Sequence, residues 1–350
     1  MRSLVVAAAF LLALPATEQA SAKSKRAPKP EAQPKLEQVP PPPAPAATAP
    51  SAMPEAAMTE AYAAFQRGHY ITALDKALPL AEAGLRPAQT LLAEIYAKGL
   101  GVRQDVPQAA AWYKLAAAQG DSGASFMLGL MALGGSGQPV DKKAAADHFE
   151  KAAGQGHMEA AYNLGLLLLE GDARPRSVPR AAELLRQAAE AGKGEAAYVL
   201  GQIYRSGDGL LPSERDAARW IGVAAQEGLT AAQVEYGIMV FNGKGVPKDE
   251  AAAATWFRKA ALAGNAVAQN RLARMIAAGR GIRTDGIEAA KWHMLARQAG
   301  LTDAWLDMFI QGLSQEASDK AKAAAEAFAA PLTGEPVGIA EAGAAQNAAR

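Results

Sequence analysis

The small and large apolar residues in the middle of the chain recur in blocks of equal length. Glycines stand 36 residues apart without interruption, at Gly84, Gly120, Gly156, Gly192, Gly228, Gly264 and Gly300. The fourth residue after each of them is alanine, and the eighth is leucine in most blocks. A small and a large residue at this spacing lie on one face of an α-helix and let it pack closely against a neighbour. Each block therefore predicts a first helix of about three turns.

A second helix is predicted in the later part of each block. The fifteenth residue after the repeat glycine can end the first helix with positive φ, and it is Gly99, Gly135, Gly171, Gly207, Gly243 or Gly279. A short loop then leads to residues that cap helix N-termini, at Asp105, Asp141, Ser177, Ser213, Asp249 and Asp285. In the second helix that follows, alanines and one large residue are spaced so that they form a single apolar stripe. We expect the large residues Trp112, Trp220, Trp256 and Trp292 to lie in the core.

The fold class that these blocks predict is all-α. One helix pair cannot bury its own apolar face, so successive pairs must pack on each other as an α-solenoid, a superhelical stack of two-helix repeats of 36 residues. We place this solenoid at residues 55–330, with atypical terminal hairpins at 57–84 and 302–329. No segment shows the alternating pattern of a β-strand.

The segments that flank the repeats have a different composition. Residues 1–22 predict a secretory signal peptide, because Arg2 precedes an apolar stretch too short to cross a bilayer and Ala20-Ser21-Ala22 offers a cleavage pattern. A retained amphiphilic anchor is the alternative. Residues 23–54 contain ten prolines and predict a disordered linker, and residues 331–350 predict a disordered tail. The expected location is therefore periplasmic or secreted.

Composition and motifs argue against several classes of function. The 36 basic and 35 acidic side chains nearly cancel, so no overall field attracts nucleic acid, and the lack of cysteine excludes disulfides and thiolate chemistry. G-x-S-x-G, P-loop and H-E-x-x-H motifs are absent, and elements such as Gly99-Leu100-Gly101 lie between helices as turns. We therefore predict no catalytic residue, no metal and no cofactor. His148 and His293 are interpreted as core substitutions.

The repeat resembles a known family once its motifs are aligned. The block from Ala88 to Gly120 carries A-x-x-x-L and a tyrosine in its first helix, G-x-G-V-x-x-D in its loop and A-x-x-W-Y-x-x-A-A-x-x-G in its second helix. The block from Ala232 to Gly264 matches comparably. These motifs resemble the Sel1-like repeat (SLR) family, a relative of the tetratricopeptide repeat. The resemblance implies a scaffold or adaptor that binds proteins, with exported bacterial members acting in the cell envelope.

The block from Ala160 to Gly192 departs from this pattern. Ala173 replaces the second loop glycine and Leu184 replaces tryptophan, so the sequence leaves the loop geometry of this block open. Three arginines crowd this loop, at Arg174, Arg176 and Arg180. They form a second candidate surface, for an acidic partner or an anionic glycan, and a merely solvated loop is the alternative.

An outer stripe on the opposite face of the first helix is the predicted partner-binding surface. It comprises the sixth, tenth and thirteenth residues after the repeat glycine, which cluster away from the core. The predicted site consists of Phe126, Leu130, Leu133, Tyr162, Leu166, Leu169, Tyr198, Arg205, Val234, Ile238 and Phe241, with Asn163, Glu170, Arg205 and Asn242 at its polar edges. In tetratricopeptide-like solenoids the corresponding stripe lines the concave surface. The alternative is that a tightly wound superhelix buries the outer stripe against its own neighbours.

Three functional hypotheses follow from these observations. The first is an exported envelope scaffold or adaptor that binds a protein or peptide on its concave face, in signalling or envelope assembly. The second is a factor associated with the cell wall or a polysaccharide, which would bind a cell-wall glycan through exposed aromatic and arginine side chains. The third is a hydrolase, and no nucleophile-base pair supports it. No nucleic acid partner and no transmembrane segment after signal cleavage are expected.

Overall fold

The computed structural model describes residues 53–136 and 139–333, which form sixteen helices and no strand. The predicted signal peptide lies outside these residues, as do nearly all of the predicted linker and tail. Helical structure crosses two predicted boundaries, because the first helix starts at Met53 and the last ends at Thr333. Within the described part of the chain, no helix has both the length and the apolar character needed to span a membrane.

The chain divides into two compact units, with the boundary between Arg176 and Ser177. The first unit contains α1 (Met53–Gln66), α2 (Tyr70–Glu82), α3 (Arg86–Lys98), α4 (Val106–Ala118), α5 (Ser122–Gly134), α6 (Lys142–Gly154) and α7 (Met158–Glu170). The second contains α8 (Val178–Glu190), α9 (Gly194–Ser206), α10 (Glu214–Gln226), α11 (Thr230–Asn242), α12 (Glu250–Leu262), α13 (Ala266–Ala278), α14 (Gly286–Gln298), α15 (Ala304–Gln311) and α16 (Gln315–Thr333). From α1 to α7 and from α8 to α14, consecutive helices pack against each other. The all-α repeat architecture predicted from the spacing is confirmed.

Each first helix of a complete repeat ends at the glycine that the pattern predicted. These C-caps all have left-handed backbone conformation, at Gly99, Gly135, Gly171, Gly207, Gly243 and Gly279. A residue with a Cβ atom is strained in this conformation, which accounts for glycine in every block.

The second helices begin at the predicted N-caps. Five of these caps accept a backbone N–H bond through a side-chain oxygen, at Asp105, Asp141, Ser213, Asp249 and Asp285. Ser177 occupies the sixth position, but its hydroxyl accepts no capping hydrogen bond, so the predicted side-chain cap is wrong there. Pro179 lies in the first turn of α8 and carries no N–H, which reduces the number of donors to be capped.

The second glycine of the inter-helix loop packs on the preceding repeat. A Cβ atom at Gly101, Gly209, Gly245 or Gly281 would come within 3.0 Å of the start of the preceding second helix. These Gly-x-Gly elements are therefore packing turns, as the sequence predicted. Ala173 takes the equivalent place after α7 and does not have positive φ, so the backbone there differs from that of the second loop glycines.

The core consists of alanine and large apolar side chains. The alanines that start the stripe of each second helix are fully buried, at Ala109, Ala145, Ala181, Ala217, Ala253 and Ala289. Trp112, Trp220 and Trp292 are buried as predicted. Trp256 is only half-buried, and its ring meets Tyr236 edge to face with 5.4 Å between centroids.

The two ends differ from the repeats and from each other. At the start, α1 and α2 pack as the hairpin predicted for residues 57–84. At the end, α15 has only eight residues and α16 packs mainly against α14, so the predicted trailing hairpin is not a regular one. Trp292 on α14 meets Phe328 on α16 with 5.4 Å between ring centroids. The long last helix thus covers an apolar face of α14.

Candidate functional site

Within each unit, side chains of the outer stripe contact the first helix of the following repeat. Thr90 on α3 donates a hydrogen bond of 2.8 Å to Asp121, the N-cap of α5. One repeat later, Phe126 stacks on His157, the N-cap of α7, with 4.4 Å between ring centroids. In these two repeats the side chain at the sixth position therefore contacts the N-cap of the next first helix. This lateral contact buries part of the stripe.

Most side chains of the outer stripe in the first unit are partly exposed to solvent. Leu130 and Leu133 on α5 are half-buried, and so are Leu166 and Leu169 on α7. Tyr162 is buried, with 7% of its surface exposed. Together with Phe126, which is also half-buried, the four leucines carry the accessible apolar surface of the predicted site in this unit.

Glu235 on α11 binds three polar side chains along the face of α9 that carries the outer stripe. The sequence pattern did not select this residue. The hydroxyl of Tyr198 donates to Glu235 Oε2 at 2.9 Å, and Gln202 Nε2 donates to the same oxygen at 2.7 Å. Arg205 forms an ion pair with the other carboxylate oxygen. Three donors on one face of α9 thus converge on one carboxylate. Tyr198 and Arg205, both predicted to bind a partner, are engaged within the protein.

On α11 the outer stripe continues into a cavity of about 280 Å³. Ile238 and Phe241 form part of its wall together with Trp305 of α15, whereas Val234 is buried nearby in the core. Three arginines also line this cavity, at Arg271, Arg274 and Arg280. None of the described residues that line it is acidic. We call it the arginine cavity.

Two of the three arginines are held by carboxylates outside the lining. Arg274 donates two hydrogen bonds to Asp303, of 2.5 and 2.7 Å. This guanidinium holds the pKa of the nearly buried Asp303 carboxyl well below its usual range. Arg280 pairs with Glu250 and lowers the pKa of that carboxyl to about 2. Arg271 is exposed and forms no hydrogen bond or ion pair with the described residues.

The basic loop after α7 is tied to the protein itself. Arg174 pairs with Asp147 at 2.6 Å and with Glu150 at 2.8 Å, both on α6. Arg176 Nε donates to the carbonyl oxygen of Leu169. Arg180 on α8 pairs with Glu183 at 2.6 Å. The positive charges that suggested a glycan or acidic partner are therefore engaged in internal contacts.

The two histidines interpreted as core substitutions occupy different environments. His148 is half-buried, and burial lowers its pKa, while the neighbouring Phe149 fills the core. His293 is buried, and its Nε2 lies 2.8 Å from Asp307 Oδ1. Its Nδ1 has no hydrogen-bond partner among the residues that the structure describes. Within residues 53–136 and 139–333, no group of three or more potential ligands is placed to hold a metal ion.

A family model of the Sel1 repeat matches six consecutive segments, at residues 86–121, 122–157, 159–193, 194–229, 230–265 and 266–301. These segments make up more than half of the chain. The chain belongs to the Sel1 repeat family. No curated protein matches it. The resemblance inferred from the sequence motifs is thus confirmed, and Sel1 repeat proteins are typically protein-interaction scaffolds and generally not enzymes.

Solved structures of Sel1 repeat proteins share this fold. A protective antigen of uropathogenic Escherichia coli that displays an SLR fold is 27% identical, with a TM-score of 0.63 over 79% of this chain and 61% of that chain. This chain therefore spans less than two thirds of that protein's length. A Sel1 repeat protein from Oxalobacter formigenes is also 27% identical, with a TM-score of 0.61 over 69% of this chain and 99% of that chain.

The Sel1 repeat motif and the candidate site use different residues. The motif positions are the caps, loop glycines and core side chains that hold the helices together. The outer stripe and the arginines of the cavity fall at positions that the motif leaves free. The Sel1 repeat therefore accounts for the scaffold, and any choice of ligand rests on residues outside the motif.

Proposed function

We propose that this chain is an exported adaptor of the cell envelope that binds a protein or peptide partner on the outer stripe of its first helices. Membership of the Sel1 repeat family supports a role in protein interaction. The signal-peptide pattern in residues 1–22 supports export. The location in the cell envelope and the partner-binding surface can be tested separately.

The observation that carries the proposal is apolar surface at positions where the fold does not require it. Leu130 on α5 and Glu94 on α3 occupy the same position in successive repeats. Likewise, the sixth position is Thr90 in one repeat and Asn270 in another, and both form lateral hydrogen bonds. Because polar residues occupy these positions in other repeats, the fold does not require leucine on α5 and α7, and the half-buried leucines there support a binding surface.

Site-specific photo-crosslinking in intact cells tests this surface. The photoreactive residue p-benzoylphenylalanine is placed at position 130 on α5 and at position 238 on α11. Matched controls carry it at positions 143 and 255, where Lys143 and Thr255 are exposed on second helices. We expect a protein adduct at the stripe positions and none at the controls. Equal adducts at all four positions, or none at the stripe, would contradict the proposal.

A purified partner then allows the contribution of the stripe to be measured. Leu130→Glu and Leu166→Glu place a charge in the contact and should weaken binding by about ten-fold or more. Lys143→Glu reverses a charge on an exposed position and should leave affinity unchanged. Export is tested by cell fractionation and by mass spectrometry of the mature N-terminus, which we expect at Lys23. Cytoplasmic protein that retains Met1 would refute the envelope location.

A further inference from the structure

The arginine cavity between α11, α13 and α15 combines a positive rim with an apolar wall. Its lining includes Arg271, Arg274 and Arg280 and contains no carboxylate. At about 280 Å³ it lies at the lower end of ligand-binding cavities, which makes it large enough for one or two side chains. Arg274 and Arg280 are paired with Asp303 and Glu250, so the positive charge of Arg271 and the free N–H groups of Arg274 favour an anionic ligand.

Arg274 is oriented before any ligand arrives. Asp303 accepts from its Nε and Nη2, so the Nη1 amino group remains available to a second acceptor. Asp303 is itself fixed, because it accepts from Asn270 and from the backbone N–H groups of Trp305 and Leu306. A donor held in place in this way loses little entropy on binding.

Arg271 supplies a positive charge that is not neutralised by a carboxylate among the described residues. It lies on α13 one turn before Arg274 and is exposed. It forms no hydrogen bond or ion pair with the described residues, so a bound carboxylate does not have to displace an internal partner. Paired arginines are well suited to binding a carboxylate.

The apolar wall requires a second chemical group next to the anion. Trp305 is 41% exposed, a large aromatic surface left partly open beside Arg274, whose guanidinium is 5.5 Å from the ring centroid. Across the cavity, Arg280 covers the ring of Phe241 at 4.3 Å. A sugar would leave hydroxyl groups without partners against Ile238 and Met275. An apolar side chain matches this wall.

We infer that the arginine cavity binds a peptide segment in which an acidic residue adjoins an aromatic or large aliphatic residue. The carboxylate lies between Arg271 and Nη1 of Arg274, and the apolar side chain packs against Trp305, Ile238 and Phe241. This inference deepens the proposed function, since the segment belongs to the protein partner. It names the chemistry that the part of the outer stripe on α11, in the second unit, recognises.

Fluorescence anisotropy with the purified full chain and synthetic peptides tests the inference. The probes are labelled hexapeptides that alternate Glu with Phe, Gln with Phe, or Glu with Ser, together with a labelled oligogalacturonate as an anionic glycan. We expect the Glu-Phe peptide to bind at least about ten-fold more tightly than the other three, and its affinity to fall as salt is raised.

Three variants test whether the Glu-Phe peptide binds in the arginine cavity. Arg271→Gln should weaken the Glu-Phe peptide by about ten-fold to one hundred-fold, and Trp305→Ala by about ten-fold. Arg283→Gln is the matched control, because Arg283 is an exposed arginine of the same unit that does not line the cavity. It should change the affinity by less than about two-fold. Circular dichroism verifies that each variant keeps its helices.

Several outcomes would overturn the inference. Equal weakening by Arg271→Gln and Arg283→Gln would mean that binding depends only on overall charge. Tighter binding of the oligogalacturonate would assign the cavity to a glycan, and no peptide binding by the wild-type chain would exclude the assigned ligand. Failure here is distinguishable from failure of the proposed function, because crosslinking at position 130 is independent of this cavity.

Discussion

Gly245 lies so close to Glu214 of the preceding repeat that a Cβ atom on the glycine would be 2.0 Å from the carbonyl oxygen of Glu214. Gly264, between α12 and α13, also has positive φ, but a Cβ atom there would meet nothing within 4 Å. The two glycines therefore separate two effects. One is the strain of left-handed backbone, and the other is a collision between repeats.

Replacing each of these glycines with alanine measures the two effects. We expect Gly264→Ala to lower the free energy of unfolding by about 1–2 kcal/mol, the cost of the backbone conformation alone. Gly245→Ala should lower it by about 3–5 kcal/mol, because the loop must also move away from α10. Urea unfolding followed by circular dichroism gives both values. Equal losses would show that the contact with Glu214 is readily relaxed.

Asp303 gives the protein a component of stability that depends on pH. Arg274, helped by Asn270 and a backbone N–H, lowers the pKa of Asp303 in the folded state. The unfolded chain therefore binds this proton more readily, so the stabilisation is present above the unfolded pKa of about 4 and is lost as the pH falls through the folded value. At neutral pH, Asp303→Asn should cost about 2 kcal/mol.

Thermal unfolding between about pH 7 and pH 2 checks the sign of this effect. The wild-type chain should lose its advantage over Asp303→Asn as the solution becomes acidic. Glu316→Gln is the control, because Glu316 is an exposed carboxylate paired with Lys320. Parallel curves for the wild type and Asp303→Asn would refute the assignment.

The tryptophans of the repeats should differ in their contribution to stability. Trp292 is 2% exposed, and its replacement by alanine leaves a cavity in the core, so we expect a loss of about 3–5 kcal/mol. Trp256 is half-buried, and we expect Trp256→Ala to cost about 1–2 kcal/mol. Guanidinium unfolding of the two variants compares them directly. A larger loss at Trp256 would contradict the assignment of burial.

Arg174 tests whether the basic loop is a binding surface. Its partners Asp147 and Glu150 are more than half exposed, so Arg174→Gln should reduce stability by no more than about 0.5 kcal/mol, and the difference should vanish at high salt. Because the guanidinium is already paired, binding of acidic peptides should be unchanged. A marked loss of peptide affinity would restore this loop as a candidate site.

The repeat architecture could be predicted because its determinants are local. The left-handed C-cap at Gly99 and the side-chain cap at Asp105 follow from residue type and spacing alone. Ser177 shows the limit of this approach, because a hydroxyl at a capping position need not accept the hydrogen bond. Nothing in the residue type distinguishes Ser177 from Ser213, whose hydroxyl does accept one.

The candidate site was predictable only in part, because it depends on contacts between repeats. The helical wheel placed Leu130 and Ile238 on the outer stripe, but it could not show that Glu235 would meet Arg205 from the neighbouring repeat. Nor could it show that Arg271 would have no ion-pair partner in the described part of the chain while Arg274 pairs with Asp303. Such pairings depend on the lateral offset of two helices, which a single repeat does not encode.

The second loop glycine has a consequence for how this molecule can evolve. Gly281 contacts Glu250 as Gly245 contacts Glu214, so each repeat with a second loop glycine carries a surface that fits the preceding second helix. A repeat that is duplicated in frame therefore brings its own loop glycine, which packs on the repeat before it. It also brings a second helix whose start can receive the loop of the repeat after it. The protein can therefore lengthen by whole modules, and the side chains outside the Sel1 motif can diversify from module to module while the framework stays intact.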